Sequence, residues 1–327
     1  MVHMAGEKIV QNDDEVKPRF KDFGQDYSKP CPQEMERIGP CLVYFFINVF
    51  CPYMTIQAGW QPHLFRMALG VWFLQMIGIG ICNHRYFSHR GFRAGRLWTF
   101  CMAMMGVLAG QGGPLTWASM HRWHHRHCES TWDHHSTRND GSLVGKLRGF
   151  FRAQGGFLVT VGMPYPDFRL VADWAKYPEL VFLDKVAAAI YFGIGAVLGG
   201  LVYSQKLSFE FMAYAYFFPT VVSFNGVMFI NSAAHLVGEH KYHDPFAPDC
   251  DSRNVWWLTP IMLGSNWHAN HHSQPQCARE GFEWWELDPL YWVLCVWEKL
   301  GLVYDLKQPD PLKKKHFLIS KPAVKTL

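Results

Sequence analysis

The chain has 327 residues, a formal charge of +4 at pH 7 and nine cysteines. That charge is too small to argue for nucleic-acid binding. No two cysteines form a C-x-x-C pair, which excludes a zinc ribbon or a thioredoxin-type motif, and the odd count gives no support to a disulfide framework. Free thiols are therefore expected.

The length would allow two soluble domains, but the distribution of apolar residues points to one membrane-embedded unit. Mean hydropathy is near zero and conceals a sharp partition. Residues 1–37 are polar and mixed in charge, unlike a cleavable signal, and read as a polar N-terminal tail. Residues 38–60, 67–84, 186–205 and 211–231 are uncharged. Each run has about the ~20 residues needed to cross a hydrocarbon core. The fold expected is an all-α membrane protein of four transmembrane helices in two hairpins, with a helical His-rich cap. Residues 38–307 form its body, and 308–327 a basic C-terminal tail.

The hairpin loops are short and carry only Arg66 and Lys206 as basic residues. The section after the second run holds ten, from Arg85 to Arg152, and the C-terminal section adds Lys299, Lys307, Lys313, Lys314 and Lys315. The positive-inside rule places both termini and the cap on the cytoplasmic side. Residues 97–120 are also mostly apolar, yet a single crossing there would separate His89 from His121. The segment is expected to be buried without crossing, broken at Gly110-Gln111-Gly112-Gly113-Pro114.

Nine of the seventeen histidines fall beside these runs. They are His84 and His89 in H-R-Y-F-S-H; His121, His124 and His125 in H-R-W-H-H; His235; and His268, His271 and His272 in H-A-N-H-H. Residues three and four apart share a helix face, so each H-x-x-H-H triplet can aim three imidazoles at one volume. Asn231 and His235 are likewise four apart. His84 and His89, five apart, turn about 140° on an α-helix. That suits a helix end, or two different metals, better than one shared ion. Isolated histidines are usually solvated, the reading given to His3, His63 and His316. His127, His134, His135, His240 and His243 are ambiguous between loop residues, outer partners and, less favoured, ligands. A structural zinc needs four ligands; nine suffice for two ions. Asp133, Glu129 and Asp251 are the acceptors expected to orient ligand rings.

These segments resemble the membrane-bound fatty acid desaturases, specifically the acyl-CoA Δ9 (stearoyl-CoA-like) group, over about residues 67–307. The resemblance is carried by H-R-Y-F-S-H-R, G-P-L-T-W-A-S-M-H-R-W-H-H-R-H, N-S-A-A-H-L-V-G, W-H-A-N-H-H-S-Q-P and L-G-L-V-Y-D. It implies a di-iron centre ligated by His84, His89, His121, His124, His125, His235, His268, His271 and His272, with Asn231 in a water-mediated tenth position. Gln111 and Trp117 match positions that shape the bend of an acyl tunnel. The implied reaction uses O2 and two electrons to place a cis double bond in a saturated acyl chain. The substrate is acyl-CoA or an acyl-lipid within membrane lipid. The sequence contains no heme-binding H-P-G-G, so electrons are expected from a separate donor such as cytochrome b5 or ferredoxin with its reductase. The membrane is the endoplasmic reticulum in a eukaryote or the plasma membrane in a bacterium.

Two departures bear on specificity. Relatives read G-E-G-[FW]-H-N-x-H-H at the third box, where Ser265, Asn266 and Ala269 stand here. Val227 stands where animal relatives often have a Thr. The same scaffold also resembles membrane hydroxylases and acetylenases. A non-enzymatic metal carrier would place its histidines along the spans instead.

Overall fold

A computed structural model describes residues 35–319. Four helices are long and apolar enough to cross a membrane: span 1 (Ile38–Gln57), span 2 (Pro62–Ser88), span 3 (Pro178–Tyr203) and span 4 (Phe209–His235). The protein is an all-α membrane protein. Prolines open spans 2 and 3, where a missing N–H costs nothing. Along span 1 the exposed side chains include Ile38, Leu42, Phe45, Val49, Tyr53 and Ile56. Their spacing of three and four makes one apolar stripe, the face suited to lipid.

Spans 2 and 4 exceed the apolar runs read from the sequence. Each has 27 residues and rises ~40 Å, against a hydrocarbon core of ~30 Å. The surplus carries His84 and His235 into the polar cap. Span 3 begins at Pro178 rather than near 186, because its first turns use their charges. Glu179 accepts both Arg96 Nε and Nη2, at 2.7 and 3.1 Å. Asp184 caps a neighbouring helix.

The expected non-crossing segment forms two helices, α1 (Arg96–Leu108) and α2 (Pro114–His127). At ~20 Å, α1 is too short to span. Gly110 and Gly112 break the pair with φ of 77° and 90°, a region open to glycine. Asp184 Oδ1 accepts the N–H of Leu115 and of Thr116 at 2.8 and 2.9 Å, so span 3 caps α2. A second close approach fixes α1 on span 2: a Cβ at Gly78 would lie 2.3 Å from the Met105 carbonyl oxygen.

Two short antiparallel pairs tie distant segments together: Met35–Glu36 with Met163–Pro164, and Arg93–Ala94 with Val303–Tyr304. Helices α3 (His268–Ser273), α4 (Pro289–Lys299) and α5 (Pro311–Phe317) complete the cap. Residues 310–319 lie against the cap. Lys314 Nζ is 2.6 Å from Glu283 Oε1, and the N–H of Ile319 donates to the Lys241 carbonyl.

The expectation of free thiols fails at one place. Cys128 and Cys250 are joined, with Cα atoms 5.3 Å apart. They are 122 residues apart in sequence, and their meeting depends on how the cap folds back on α2. The other six described cysteines are free.

Candidate metal centre

The last part of span 2, Ile77–Ser88, winds as a π-helix, and His89 caps it. The His89 N–H donates to the His84 carbonyl at 3.3 Å. In such a turn side chains five apart stack as those four apart do in an α-helix. The two rings stand 5.0 Å apart. Hence His84 and His89 join the same cluster at a helix end, the first of the two arrangements that their spacing suited, rather than serving two different metals.

Nine imidazoles gather into two groups. In the first, His84 Nε2 lies 3.0 Å from His271 Nε2 and His89 Nε2 lies 2.8 Å from His121 Nε2. His125 Nε2 joins them, 3.1 Å from His121 and 2.9 Å from His271. The second holds His124, His235, His268 and His272. His268 Nε2 is there 2.9 Å from His235 Nε2 and 3.1 Å from His272 Nε2. The expectation that each triplet aims at one volume is corrected. His121 and His125 share a cluster, as do His268 and His272, while His124 and His271 cross to the other. Neighbours on a helix differ by about 100°, so each H-H pair points to either side of a seam. Across that seam the rings of His125 and His272 stack at 4.3 Å.

Carboxylates fix these rings from behind. Nδ1 of His84 lies 3.2 Å from Glu280 Oε1, that of His124 3.1 Å from Asp133 Oδ2, that of His235 3.2 Å from Glu129 Oε1 and that of His272 2.8 Å from Asp244 Oδ2. Where it accepts a hydrogen bond from Nδ1, as Asp133 does from His124 and Asp244 from His272, a carboxylate holds the proton there and leaves the Nε2 lone pair free. The Nε2 atoms stand 2.8–3.1 Å apart, about the separation of adjacent nitrogens bound to one ion. Two nitrogens on one ion, with bonds of ~2.1 Å, lie at most ~4.2 Å apart, so the donor set is compatible with a metal centre.

Electrostatics agree. Burial, reinforced by neighbouring imidazoles, holds His89, His121, His125, His268, His271 and His272 well below the usual histidine range. They are neutral and ready to ligate. Burial alone would raise the Asp133 carboxyl, but His135 and His124 hold it lowered. Burial likewise opposes Arg85 and His84 at Glu280, and the partners win. Asp244 departs from this pattern: burial pushes it up to about 7 against the N–H groups of Phe246 and Ala247, so without metal it takes up a proton more readily than Asp133 or Glu280.

Glu129 and Asp133 were legible as acceptors; Asp251 is not one. It binds Arg253 Nη2 at 2.7 Å and faces His240, because its exposed turn points it away from the rings. Asp244 and Glu280 take its place. Neither stands at a helical spacing from its histidine, so no sequence signal marks them. Asn231 faces the neighbouring cavity, its Nδ2 3.9 Å from the Met228 sulfur. His127 packs on Trp123 at 4.2 Å, and His134 and His135 wall the cavity. His3 lies outside the described residues.

That cavity, of about 300 Å³, is apolar and runs beside the first cluster. Trp117 stacks on His121 at 4.9 Å and donates Nε1–H to Gln111 Oε1 at 3.1 Å. Val227, Tyr191 and Phe224 line it further on. In the altered third box, buried Asn266 donates to the Val255 carbonyl and the Thr259 hydroxyl, while the Ala269 N–H donates to Asn254 Oδ1. At these two altered positions the partners are neutral, while Asn270 between them and the last histidine donates to Glu286 Oε2 at 2.7 Å.

The sequence profile described as "Fatty acid desaturase" matches residues 58–306. The chain belongs to the fatty acid desaturase family. It is 31% identical to a "Hex-5-enoyl-[acyl-carrier protein] acetylenase" of Moorena producens (strain JHB), over 74% of this chain and 76% of that protein. It is 30% identical to an "sn-2 palmitoyl-lipid 9-desaturase" of Nostoc sp. (strain 36), over 75% and 81%. The "Delta-9 acyl-lipid desaturase 1" of Arabidopsis thaliana is also 30% identical, over 83% of each chain. A desaturase is an oxidoreductase acting on fatty acyl chains, and an apolar cavity beside clustered imidazoles accords with that membership.

Proposed function

We propose that this desaturase inserts a cis double bond at Δ9 of a saturated acyl chain. It uses O2, a di-iron centre and two electrons from a separate donor such as cytochrome b5 or ferredoxin with its reductase. One observation carries the reading: nine converging imidazoles stand beside an apolar cavity, which His121 lines. In this proposal one iron is held by His84, His89, His121, His125 and His271. The other is held by His124, His235, His268 and His272, with Asn231 reaching it through a water. Iron bound there supplies the oxidising power needed to remove hydrogen from an unactivated methylene.

The protein's share is position and dryness. Asp133 and Asp244 hold ligand rings in one tautomer, and Glu280 and Glu129 place negative charge beside two others. Trp117, locked by Gln111 and stacked on His121, forms the wall that sets which methylene stands against the centre. Holding that carbon pair in place raises its effective concentration, and an apolar wall excludes competing water. The carrier is acyl-CoA on the motif resemblance, a membrane lipid on the names of the Nostoc and Arabidopsis relatives and acyl-carrier protein on that of the Moorena relative. The cap faces the cytoplasm, at the endoplasmic reticulum in a eukaryote or the plasma membrane in a bacterium.

Expression in a desaturase-deficient yeast, followed by mass spectrometry of dimethyl-disulfide adducts of total fatty acids, tests the reading. New cis-9 16:1 or 18:1 supports it. A double bond elsewhere refutes Δ9 while keeping desaturation. Membranes supplied with labelled stearoyl-CoA or labelled phosphatidylcholine, under conditions that block acyl exchange, separate the carriers. A second reading is favoured by the Moorena relative: an acetylenase would turn an existing double bond into a triple bond, and an alkyne product from an enoyl substrate would reveal it. A hydroxylated product would replace both readings.

A further inference from the structure

Cys128 and Cys250 take no part in the two clusters, yet they are built into one of them. Cys128 follows directly on α2, three residues after His125. Cys250 lies in the loop that begins at Asp244, whose carboxylate sits 2.8 Å from His272 Nδ1. The Cys250 sulfur lies 3.4 Å from that same Nδ1. Asp244 also accepts the N–H of Phe246 and of Ala247, at 2.7 and 3.1 Å. Residues 244–250 are therefore a short arm. One end orients His272, and the other is bolted to the helix that supplies His124. The Cα separation of 5.3 Å is inside the range that a disulfide bridges without moving the backbone.

Both sulfurs are buried within the cap, but their surroundings differ. An open cavity of about 530 Å³ is lined by Cys128, Arg126, Arg138, Ala247 and Asp249, and Cys250 is not part of its wall. A reagent arriving from outside meets Cys128 first.

We propose that Cys128–Cys250 is a reversible dithiol–disulfide site, opened by a dithiol reductant through this cavity, and that its state sets how firmly the second cluster holds metal. The step balances as thiol–disulfide exchange. A thiolate of the reductant attacks the Cys128 sulfur and the Cys128–Cys250 bond breaks. Cys250 leaves with the electron pair and takes up the proton that the first reductant thiol released. The second reductant thiolate displaces Cys128, which is protonated in turn. Two electrons pass to the pair and the reductant becomes a disulfide. Opening the bridge frees one end of the arm, so Asp244 loses the support that aims it at His272. Loss of an outer partner of a metal-bound histidine lowers affinity about 10- to 100-fold, and a loosened partner belongs at the lower end. The inference rests on the proposed role of His272 as a ligand.

The test uses full-length, iron-loaded protein in detergent, with and without dithiothreitol. N-ethylmaleimide labelling and peptide mass spectrometry report the pair, and iron release to a chelator reports the centre. Untreated protein should show the 128 and 250 peptides linked. Dithiothreitol should expose two new thiols and make half of the iron leave about 10-fold faster. A Cys128→Ser/Cys250→Ser double variant should release iron at the fast rate and ignore the reductant. The wild-type comparison stands alone if that variant does not fold. Any one of three results overturns the proposal: both cysteines labelled in untreated, air-equilibrated protein; a reduced pair with unchanged iron release; or a double variant that still responds to dithiothreitol. Oxidised protein that never holds iron also overturns it. In that case linked peptides show that the fault lies in the metal reading, not in the pair.

Discussion

Replacing Glu280 with Gln removes one charge from a buried position and leaves the shape nearly unchanged. Glu280 Oε1 lies 3.2 Å from His84 Nδ1 and 3.9 Å from His271 Nδ1, and it accepts Arg85 Nε at 3.0 Å. A Gln carbonyl can serve His84 or Arg85, but its amide then faces a donor on the other side. Removing the outer carboxylate costs about 10- to 100-fold in metal affinity, or about 1.4–2.7 kcal/mol at the first cluster. Breaking a buried ion pair costs about 3–5 kcal/mol, but Arg85 keeps Asp288 at 2.9 Å and the Ala278 carbonyl at 2.9 Å. The stability loss should therefore be nearer about 2 kcal/mol. The second cluster, backed by Glu129, Asp133 and Asp244, is untouched. Iron per chain, followed by elemental analysis against rising chelator, should fall in two steps in Glu280→Gln, with one iron lost early. Release of both irons at the wild-type chelator concentration would refute the reasoning and assign ring orientation to packing alone.

Three further outcomes are expected. His125→Ala and His272→Ala should each abolish turnover while the protein stays in the membrane; product formation by both variants would sink the shared-centre reading. Asp184→Ala removes the cap of α2 from span 3 and should cost about 0.5–2 kcal/mol of stability, seen as a lower Tm; an unchanged Tm would mean that packing alone seats α2. Metal-free protein should weaken on acidification, because burial holds His134 at about 4 against ~6.5 in the unfolded chain. Between those values the unfolded state takes up the proton first. The contribution is thus complete above pH 6.5 and declines toward pH 4, by up to about 1.4 kcal/mol per pH unit. Thermal unfolding at pH 7, 6 and 5 measures it, and a flat profile contradicts it.

The candidate ligands, the four spans and the broken segment between the first two histidine groups were legible because they depend on local pattern. Helical spacing puts His121 beside His125 whatever else the chain does, and ~20 uncharged residues read as a span in any context. Glycines and a proline announce a break at 110–114 from their own backbone preferences. What the sequence could not carry was anything decided between segments. The π-wound end of span 2 brings His84 and His89 to one cluster and so decides between the helix end and the two metals that their spacing left open. The division of each H-H pair across a seam depends on where span 4 and α3 pack against α2. Asp244, Glu280 and the Cys128–Cys250 pair reach the centre from loops whose paths no periodicity records. Those contacts join residues tens to hundreds of positions apart, and only the packing of the cap on the spans brings them within bonding distance.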